Sequence, residues 1–203
     1  MSRAANPQLC VDFVDTVDWR NDAARIDEQL KSFDDLVKWA QQHEVVSDAI
    51  ARRLQRSARE HPRVAGQVLD RSLSLRDAIY RVLSNTAAEQ PVPSQYLDRI
   101  TEECALFAAQ LRLRRTGGTF NWEWSGEADA LDRLLWPVLQ STVELLTSPL
   151  LSRIRECEGP GCGWIILDNT KNRSKRWCSM ETCGNRAKVK RFYERHKQET
   201  TAQ

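Results

Sequence analysis

Apolar residues recur every three or four positions through most of the first 150 residues, the spacing that places them on one face of an α-helix. Helix start signals accompany several of these stretches, namely Ser32, Ser47 and Pro62. Pro137 removes one helical hydrogen bond, so the last helix is expected to kink or break near residues 135–136. The predicted helices cover residues 9–17, 32–43, 48 onward, 62–88, 94–111 and 128–147.

One segment departs from the helical period. Phe120, Trp122 and Trp124 alternate with polar residues, which is the period of a β-strand. Residues 111–114 alternate in the same way, and two glycines at 117–118 favour a turn between the two segments. Because an isolated strand needs a partner, the pattern predicts an antiparallel hairpin that shortens the preceding helix.

The chain is expected to have two parts, a helical domain over residues 1–150 and a zinc finger over 151–203. The predicted fold is mainly α with a small β-hairpin, followed by a treble-clef-like finger built on four cysteines. In that finger, residues 164–167 are expected to form a strand, Cys178 to close a second short strand, and residues 185–197 to form the final helix. No low-complexity linker separates the two parts in the sequence, so they are expected to pack closely.

Charge is distributed unevenly between these parts. The chain has 203 residues and a net charge of +2, yet residues 153–203 carry 12 basic and 6 acidic groups, which leaves a net charge of −4 on the first 152. The most basic stretch is 171–197, with ten Lys or Arg residues against two Glu. An anionic polymer would therefore bind the C-terminal part.

The sequence also predicts where the protein is found. It contains no run of eighteen apolar residues, so neither a transmembrane helix nor a membrane partner is expected. Asp12, Asp15 and Asp18 interrupt the apolar stretch near the N-terminus, so a signal peptide is not expected either. These features favour a cytoplasmic protein. Cys10 and Cys104 lie among apolar neighbours and are expected to be small buried hydrophobic residues.

Four cysteines near the C-terminus carry the clearest chemical signal. They form two Cys-x4-Cys pairs with fifteen residues between them: Cys157, Cys162, Cys178 and Cys183. Four thiolates complete a tetrahedral shell for Zn²⁺ and leave no position for a substrate water, so one structural zinc is expected rather than a catalytic metal. Two alternatives stay open, disulfide bonds in a secreted chain and a zinc–thiolate site that is switched by oxidation.

Basic residues surround the cysteines and suit contact with nucleic acid. On the final helix they form two rows beside an apolar row of Val189, Phe192 and His196, which is expected to face the finger core. Arg186 follows Cys183 closely enough to offset the charge of a zinc tetrathiolate. The alternative to DNA contact is that the basic residues of the helix are simply solvated. The residues expected to contact DNA are Lys171, Arg173, Lys175, Arg176, Arg186, Lys188, Lys190, Arg191 and Arg195.

A ligand pocket is a second candidate site. The acidic residues of the first helix recur every third position and lie on roughly one helical face, and two tryptophans lie on the expected hairpin. Carboxylates and aromatic rings near helix ends are typical of small-molecule sites. The assigned pocket residues are Asp12, Asp15, Trp122 and Trp124. The alternatives are a solvated acidic face for the carboxylates, and packing in the core and across the strands for the aromatic rings.

Signals of catalysis are weak. The sequence has no Gly-rich phosphate loop, and His43, His61 and His196 do not indicate a Ser/His/acid set. A zinc ion held by four cysteines has no open coordination position for hydrolysis. An enzyme is therefore not expected.

Residues 155–168 and 172–188 resemble the CGNR zinc finger, a family named after the tetrad that stands here at 183–186. Residues 9–18 and 130–138 resemble the helical ABATE domain, which commonly precedes this finger in bacterial proteins. Where that family has Asn-Thr, this chain has Asp15-Thr16. The resemblance implies a stress-responsive transcription regulator whose finger binds DNA.

The leading hypothesis is therefore a cytoplasmic transcription regulator. The finger delivers the protein to DNA, and the helical domain senses a small-molecule effector, forms a homodimer, or does both. The first alternative is a zinc-stapled adaptor whose basic face binds an acidic protein. The second is a small-molecule-binding protein whose finger only supports the helical domain.

Overall fold

The computed structural model describes residues 6–125 and 130–201, with the side chains of all of these except Trp124 and 194–201. Within these residues the helices are α1 (Gln8–Val14), α2 (Phe33–Gln42), α3 (Asp48–Glu60), α4 (Pro62–Ala87), α5 (Ser94–Ala108), α6 (Leu135–Thr147) and α7 (Asn185–Thr201). Three two-stranded antiparallel sheets pair β1 (Val17–Asp18) with β2 (Asp27–Glu28), β3 (Leu111–Thr116) with β4 (Thr119–Trp124), and β5 (Ile154–Glu156) with β6 (Ile165–Leu167). The mainly α fold with a small hairpin is confirmed.

The predicted start signals mark the beginnings of the helices. Ser32 Oγ accepts a hydrogen bond from the Asp35 N–H at 3.2 Å, and this caps α2. Ser47 Oγ accepts from the Ile50 N–H at 3.4 Å at the start of α3. Pro62 occupies the first turn of α4, where its missing N–H would have no helical partner.

Two predicted helices have different bounds in the structure. The first ends at Val14, because the Thr16 hydroxyl donates to Phe13 O at 2.8 Å and the chain then turns into β1. The helix predicted over 128–147 begins as a 3-10 turn at Leu131–Leu134 and becomes α6 afterwards, the break that Pro137 predicts. Residues 128–129 lie outside the described residues.

A single core unites the helices with the first hairpin of the finger. The long helix α4 packs against α1, α2, α3 and α5, and buried apolar side chains of α1 to α6 form one cluster around it. Ile154, Ile165 and Leu167, from β5 and β6, belong to the same cluster and are at most 5% exposed. The close packing of the two parts is therefore confirmed, and burial of apolar surface holds them together.

The β3–β4 hairpin lies at the edge of this core. Its register places Leu113 opposite Trp122 and Arg115 opposite Phe120. Leu111 is buried, whereas Phe120 is 66% exposed and Trp122 is 59% exposed. The alternative of core packing is therefore wrong for Trp122, whereas the alternative of cross-strand packing agrees with its position opposite Leu113. In the described part of the chain, no helix combines the length and the apolar character that crossing a membrane requires.

Candidate metal centre and its junction with the helical domain

Four thiols converge in the finger. The Sγ atoms of Cys157, Cys162, Cys178 and Cys183 all lie within 4.8 Å of one another, and none of these cysteines forms a disulfide. The Sγ atom of Cys178 is 3.9 Å from that of Cys162 and 3.6 Å from that of Cys183. A tetrahedron with Zn–S bonds of about 2.3 Å has edges of about 3.8 Å. The cluster therefore fits one structural zinc.

Glycines allow the loop of residues 157–162, called the first knuckle here, to turn tightly around the metal site. A Cβ atom on Gly159 would lie 2.6 Å from Cys183 Sγ, so only glycine allows the backbone to approach that thiol. Gly161 has a φ of +74°, and a Cβ there would lie 2.9 Å from Asp22 Cβ. The second glycine therefore serves both the tight turn and the contact with the helical domain.

Hydrogen bonds to sulfur stabilise the thiolates. Cys157 Sγ accepts from the N–H groups of Gly159 at 3.4 Å and Cys178 at 3.3 Å. Hydrogen bonds from neighbouring thiols, that of Cys162 above all, lower the pKa of Cys157. Arg186 Nη2 donates to Cys183 Sγ at 3.1 Å and offsets part of the negative charge of a zinc tetrathiolate.

The second knuckle, residues 178–183, differs from the prediction that Cys178 closes a short strand. No strand precedes Cys178, and the described residues 168–178 form a loop instead. A π-helical turn, Met180–Gly184, carries Cys183 directly into α7. Ser179 Oγ accepts from the Glu181 N–H at 3.1 Å and so caps that turn. The last ligand therefore lies on the same continuous helical segment as α7.

Asp15 joins the helical domain to the finger. Its Oδ1 atom accepts a hydrogen bond from the Ile165 N–H of β6 at 2.8 Å. Burial raises the pKa of this carboxyl group well above its usual range, although the hydrogen bond from Ile165 opposes that shift. The row of Asp12, Asp15 and Asp18 is therefore not one solvated face, because α1 ends before Asp15 and this side chain turns inward.

The Trp19 loop, residues 19–26, forms a second link. The N–H groups of Arg20 and Asn21 donate to the carbonyls of Cys162 and Gly161 at 3.1 and 3.2 Å, so the loop pairs with the first knuckle. Trp164 Nε1 donates to Val17 O at 3.1 Å. Asn21 Nδ2 donates to Glu156 Oε1 at 2.7 Å. The sequence has no local signal for this pairing, since its partners lie about 140 residues apart.

Trp19 brings that loop against α7. Its backbone has a φ of 55°, a left-handed conformation that bulky residues rarely adopt. The guanidinium carbons of Arg25 and Arg186 lie 3.7 and 4.1 Å from the centre of its ring. A cleft of about 780 Å³ adjoins this stack, and three of the four cysteines line it.

The basic residues of the finger fall into two groups. In the first group, Arg176 forms an ion pair with Glu158, and Arg186 bonds to the metal ligand Cys183. The side chain of Arg195 lies outside the described residues. The other candidates have exposed side chains: Lys171, Arg173, Lys175, Lys188, Lys190 and Arg191.

Asp168 fixes the loop that carries three of these residues. Its carboxylate accepts hydrogen bonds from the Thr170 N–H at 2.9 Å, the Thr170 hydroxyl at 2.6 Å and the Lys175 N–H at 3.0 Å. The hydroxyl bond is the main cause that lowers the pKa of Asp168. Sequence reasoning gave this residue no role, although an Asp two residues before a Thr is a typical turn signal.

The apolar row of α7 does not face the finger core. Val189 is 54% exposed and Phe192 is 49% exposed, so that prediction is wrong for both residues. The four cysteines with Ile166 and the flanking tryptophans already fill the small core around the metal site. The side chain of His196 lies outside the described residues.

Three residues assigned to the ligand pocket are not in the lining of the cleft described above: Asp12, Asp15 and Trp122. Asp12 accepts from Gln8 Nε2 at 2.9 Å on α1 and lies 3.4 Å from His43 Nδ1, while Asp15 bonds to the finger. Trp122 lies on the exposed hairpin, and the side chain of Trp124 lies outside the described residues. No described contact joins the two acids to the hairpin, and a pocket formed by these residues stays a prediction.

Comparison with known families agrees with this arrangement. Residues 153–196 match the family described as "CGNR zinc finger", which covers all four cysteines and the basic loop. Residues 8–149 match ABATE, described as "Putative stress-induced transcription regulator". No curated protein sequence matches the chain. Both families are of the regulator and zinc-finger type. The chain therefore belongs to the ABATE family, with a CGNR zinc finger following the ABATE domain.

Proposed function

We propose that this protein is a cytoplasmic transcription regulator that binds DNA through the loop 169–176 and the outer face of α7. One observation carries the proposal. Lys171, Arg173, Lys175 and Lys188 have exposed side chains, and none of the four forms an ion pair with a carboxylate in the described part of the chain. Cations that are not neutralised within the protein are available to phosphate groups.

The loop is preorganised for this contact. Asp168 holds both ends of the segment 170–175, so three of the four cations start from a fixed backbone. Less conformational entropy is then lost on binding than a flexible loop would lose. Contacts of this kind position a protein on the duplex and carry no sequence information.

The final helix supplies the second half of the interface. Lys188 and Arg191 are three residues apart, so they lie on one side of α7. Arg191 Nε donates to Ala187 O at 3.3 Å, which holds its side chain along the helix. The exposure of Phe192, four residues after Lys188, leaves an apolar side chain beside this basic face, where a thymine methyl group would contact it in a major groove.

Arg176 and Arg186 have other roles in this proposal. Arg176 pairs with Glu158 across the two knuckles, and Arg186 serves the metal site. The proposal assigns no catalytic activity, because the four cysteines complete the zinc shell. The response of the helical domain to a small-molecule effector and the formation of a homodimer stay predictions.

The proposal is tested by fluorescence anisotropy with zinc-loaded protein and duplex DNA across a salt series. If about five phosphates are neutralised, the slope of log K against log salt is expected to be about −4.5. Lys171→Glu and Lys188→Glu should each weaken binding to all sequences and reduce the steepness of that slope by about 0.9. The matched control is Arg52→Glu on α3, which reverses an exposed charge outside the finger.

Two results would overturn the DNA proposal. One is binding that does not change with salt concentration. The other is an equal loss of affinity in the control and the two finger variants, which would indicate only a general effect of net charge. Either result would favour the adaptor hypothesis, in which the basic face binds an acidic protein.

A further inference from the structure

The cleft of about 780 Å³ beside Trp19 lies where the helical domain meets the finger. Small-molecule sites typically measure about 300–1,000 Å³ and are common at domain interfaces. Trp19 lines the cleft from the helical domain, and Trp164 and Val189 line it from the finger. A ligand in the cleft would therefore touch both parts of the protein across an apolar, partly aromatic surface.

The backbone of Trp19 indicates that its position serves a purpose. A φ of 55° is unfavourable for a bulky side chain and persists only where the surroundings fix it. Here the Asp22 N–H donates to Trp19 O at 2.8 Å, and the next residue, Arg20, pairs with Cys162. Residues held in such conformations cluster at binding sites. The cleft is the ligand-sized space that this indole borders.

Arg186 gives the cleft a fixed cation. Its Nη2 atom bonds to Cys183 Sγ, and its guanidinium lies over the Trp19 ring, so two contacts hold it in place. A guanidinium has five N–H donors, and the bond to sulfur engages one nitrogen. The remaining edge can bind a carboxylate or sulfonate group through paired hydrogen bonds. Lys190 lies one turn further along α7 and lines the same cleft.

Two carboxylates limit how much negative charge the cleft accepts. Asp18 and Glu181 border it, and Asp18 Oδ2 accepts from Gln29 Nε2 at 2.8 Å. The zinc tetrathiolate adds further negative charge nearby. A strand of phosphodiesters or a polyphosphate would be repelled by these groups, whereas a single anionic group can pair with Arg186 alone.

We propose that this cleft binds a small planar aromatic compound with one negative charge. The anionic group pairs with Arg186, and the ring packs against Trp164 and Val189 beside the Trp19 stack. The site differs from the pocket assigned from the sequence and does not depend on DNA binding.

Two fluorescent dyes of matched shape test the proposal on zinc-loaded, full-length protein. The anionic probe is 8-anilinonaphthalene-1-sulfonate, and the neutral probe is N-phenyl-1-naphthylamine, which has the same rings without the sulfonate. The expected result is saturable binding of one anionic probe per chain, with weaker binding of the neutral probe.

Variants then locate the bound dye. Arg186→Met should weaken the anionic probe by about 10-fold or more, the loss expected for a hydrogen bond to a charged group, and should change the neutral probe by less than about 2-fold. Val189→Glu, which alters no residue at the metal, should weaken both probes and the anionic one more. Phe120→Ser removes an exposed aromatic ring on the β3–β4 hairpin and should change neither.

Zinc content is measured in every variant, because Arg186 touches a metal ligand. If Arg186→Met loses zinc, Val189→Glu decides the test. The proposal is overturned if neither probe saturates or if Phe120→Ser removes the binding, which would place the dye on the hairpin. It is also overturned if Val189→Glu leaves both probes unchanged, or if the zinc-loaded Arg186→Met variant weakens both probes equally.

Discussion

Replacement of Asp15 tests how the helical domain and the finger are joined. Its Oδ1 atom accepts the Ile165 N–H at 2.8 Å, and Ile165 itself is 2% exposed. Asp15→Ala leaves that buried donor without a partner, which costs about 1–3 kcal/mol. In a chain of this length the loss corresponds to a fall in Tm of roughly 2–12 °C.

Asp15→Asn separates the hydrogen bond from the charge. The amide oxygen can accept the same N–H group, so the contact with β6 is kept. Because burial raises the pKa of Asp15, the charged form is disfavoured in the folded protein. A neutral amide avoids that desolvation cost. We therefore expect the Asn variant to be at least as stable as the parent at neutral pH, while the Ala variant is less stable.

The pH dependence has a definite sign. With a native-state pKa above the unfolded value of about 4, the folded protein binds more protons between the two values. The stability that Asp15 contributes is fully present below the unfolded pKa and is lost as the pH rises through the native-state pKa. Asp15→Asn should remove this fall from the stability profile.

Thermal unfolding of zinc-loaded protein is monitored by far-UV circular dichroism across a pH series. It measures both the change in Tm and the dependence of stability on pH. Asp12→Asn is the matched control, since that carboxylate lies on α1 three residues before Asp15, is partly exposed, and accepts its hydrogen bond from Gln8 within the helical domain. Equal destabilisation by Asn and Ala at position 15 would refute the reasoning, because it would show that the negative charge, rather than the acceptor, holds the junction.

Three further predictions follow from other contacts. Cys178→Ser should lose zinc and also lower the Tm of the helical domain, because the first knuckle accepts hydrogen bonds from the Trp19 loop. Elemental analysis measures the zinc and circular dichroism measures the Tm, and an unchanged Tm in the zinc-free variant would contradict this prediction. Asp168→Ala should weaken DNA binding several-fold in the anisotropy assay with no loss of zinc, because the basic loop loses its three hydrogen bonds; unchanged affinity would show that the loop does not contribute. Cys10 should resist alkylation at about pH 8 in the folded protein, because burial raises its pKa to about 11 and leaves roughly one thiol in a thousand ionised. Rapid modification of Cys10, detected by mass spectrometry, would contradict this prediction.

The sequence predicted the features that depend on neighbouring residues. Ser32, Ser47 and Pro62 identified three helix starts, because each acts within four residues of its own position. The strand alternation at 119–125 identified the hairpin for the same reason. The four cysteines identified the zinc site, since ligand number and chemistry are local properties of the chain.

Contacts between distant segments were not predictable in this way. The acidic row near the N-terminus has the spacing of a solvated helix face, and the inward turn of Asp15 depends on a β6 backbone group 150 residues away. The exposure of Val189 and Phe192 likewise depends on how little space the zinc cluster leaves beneath α7. Helical periodicity shows which side chains share a face, but not whether another element covers that face.

The metal site is therefore coupled to the helical domain as well as to the rest of the finger. The first knuckle receives two backbone hydrogen bonds from the Trp19 loop, and β5 and β6 share the main core with α4. Binding of zinc orders the knuckle and so stabilises each of these contacts with it. An ABATE domain that ended before β5 would lose Ile154, Ile165 and Leu167 from its core and expose the side chains they cover. The boundary between the two families in the sequence consequently crosses a single hydrophobic core in the structure.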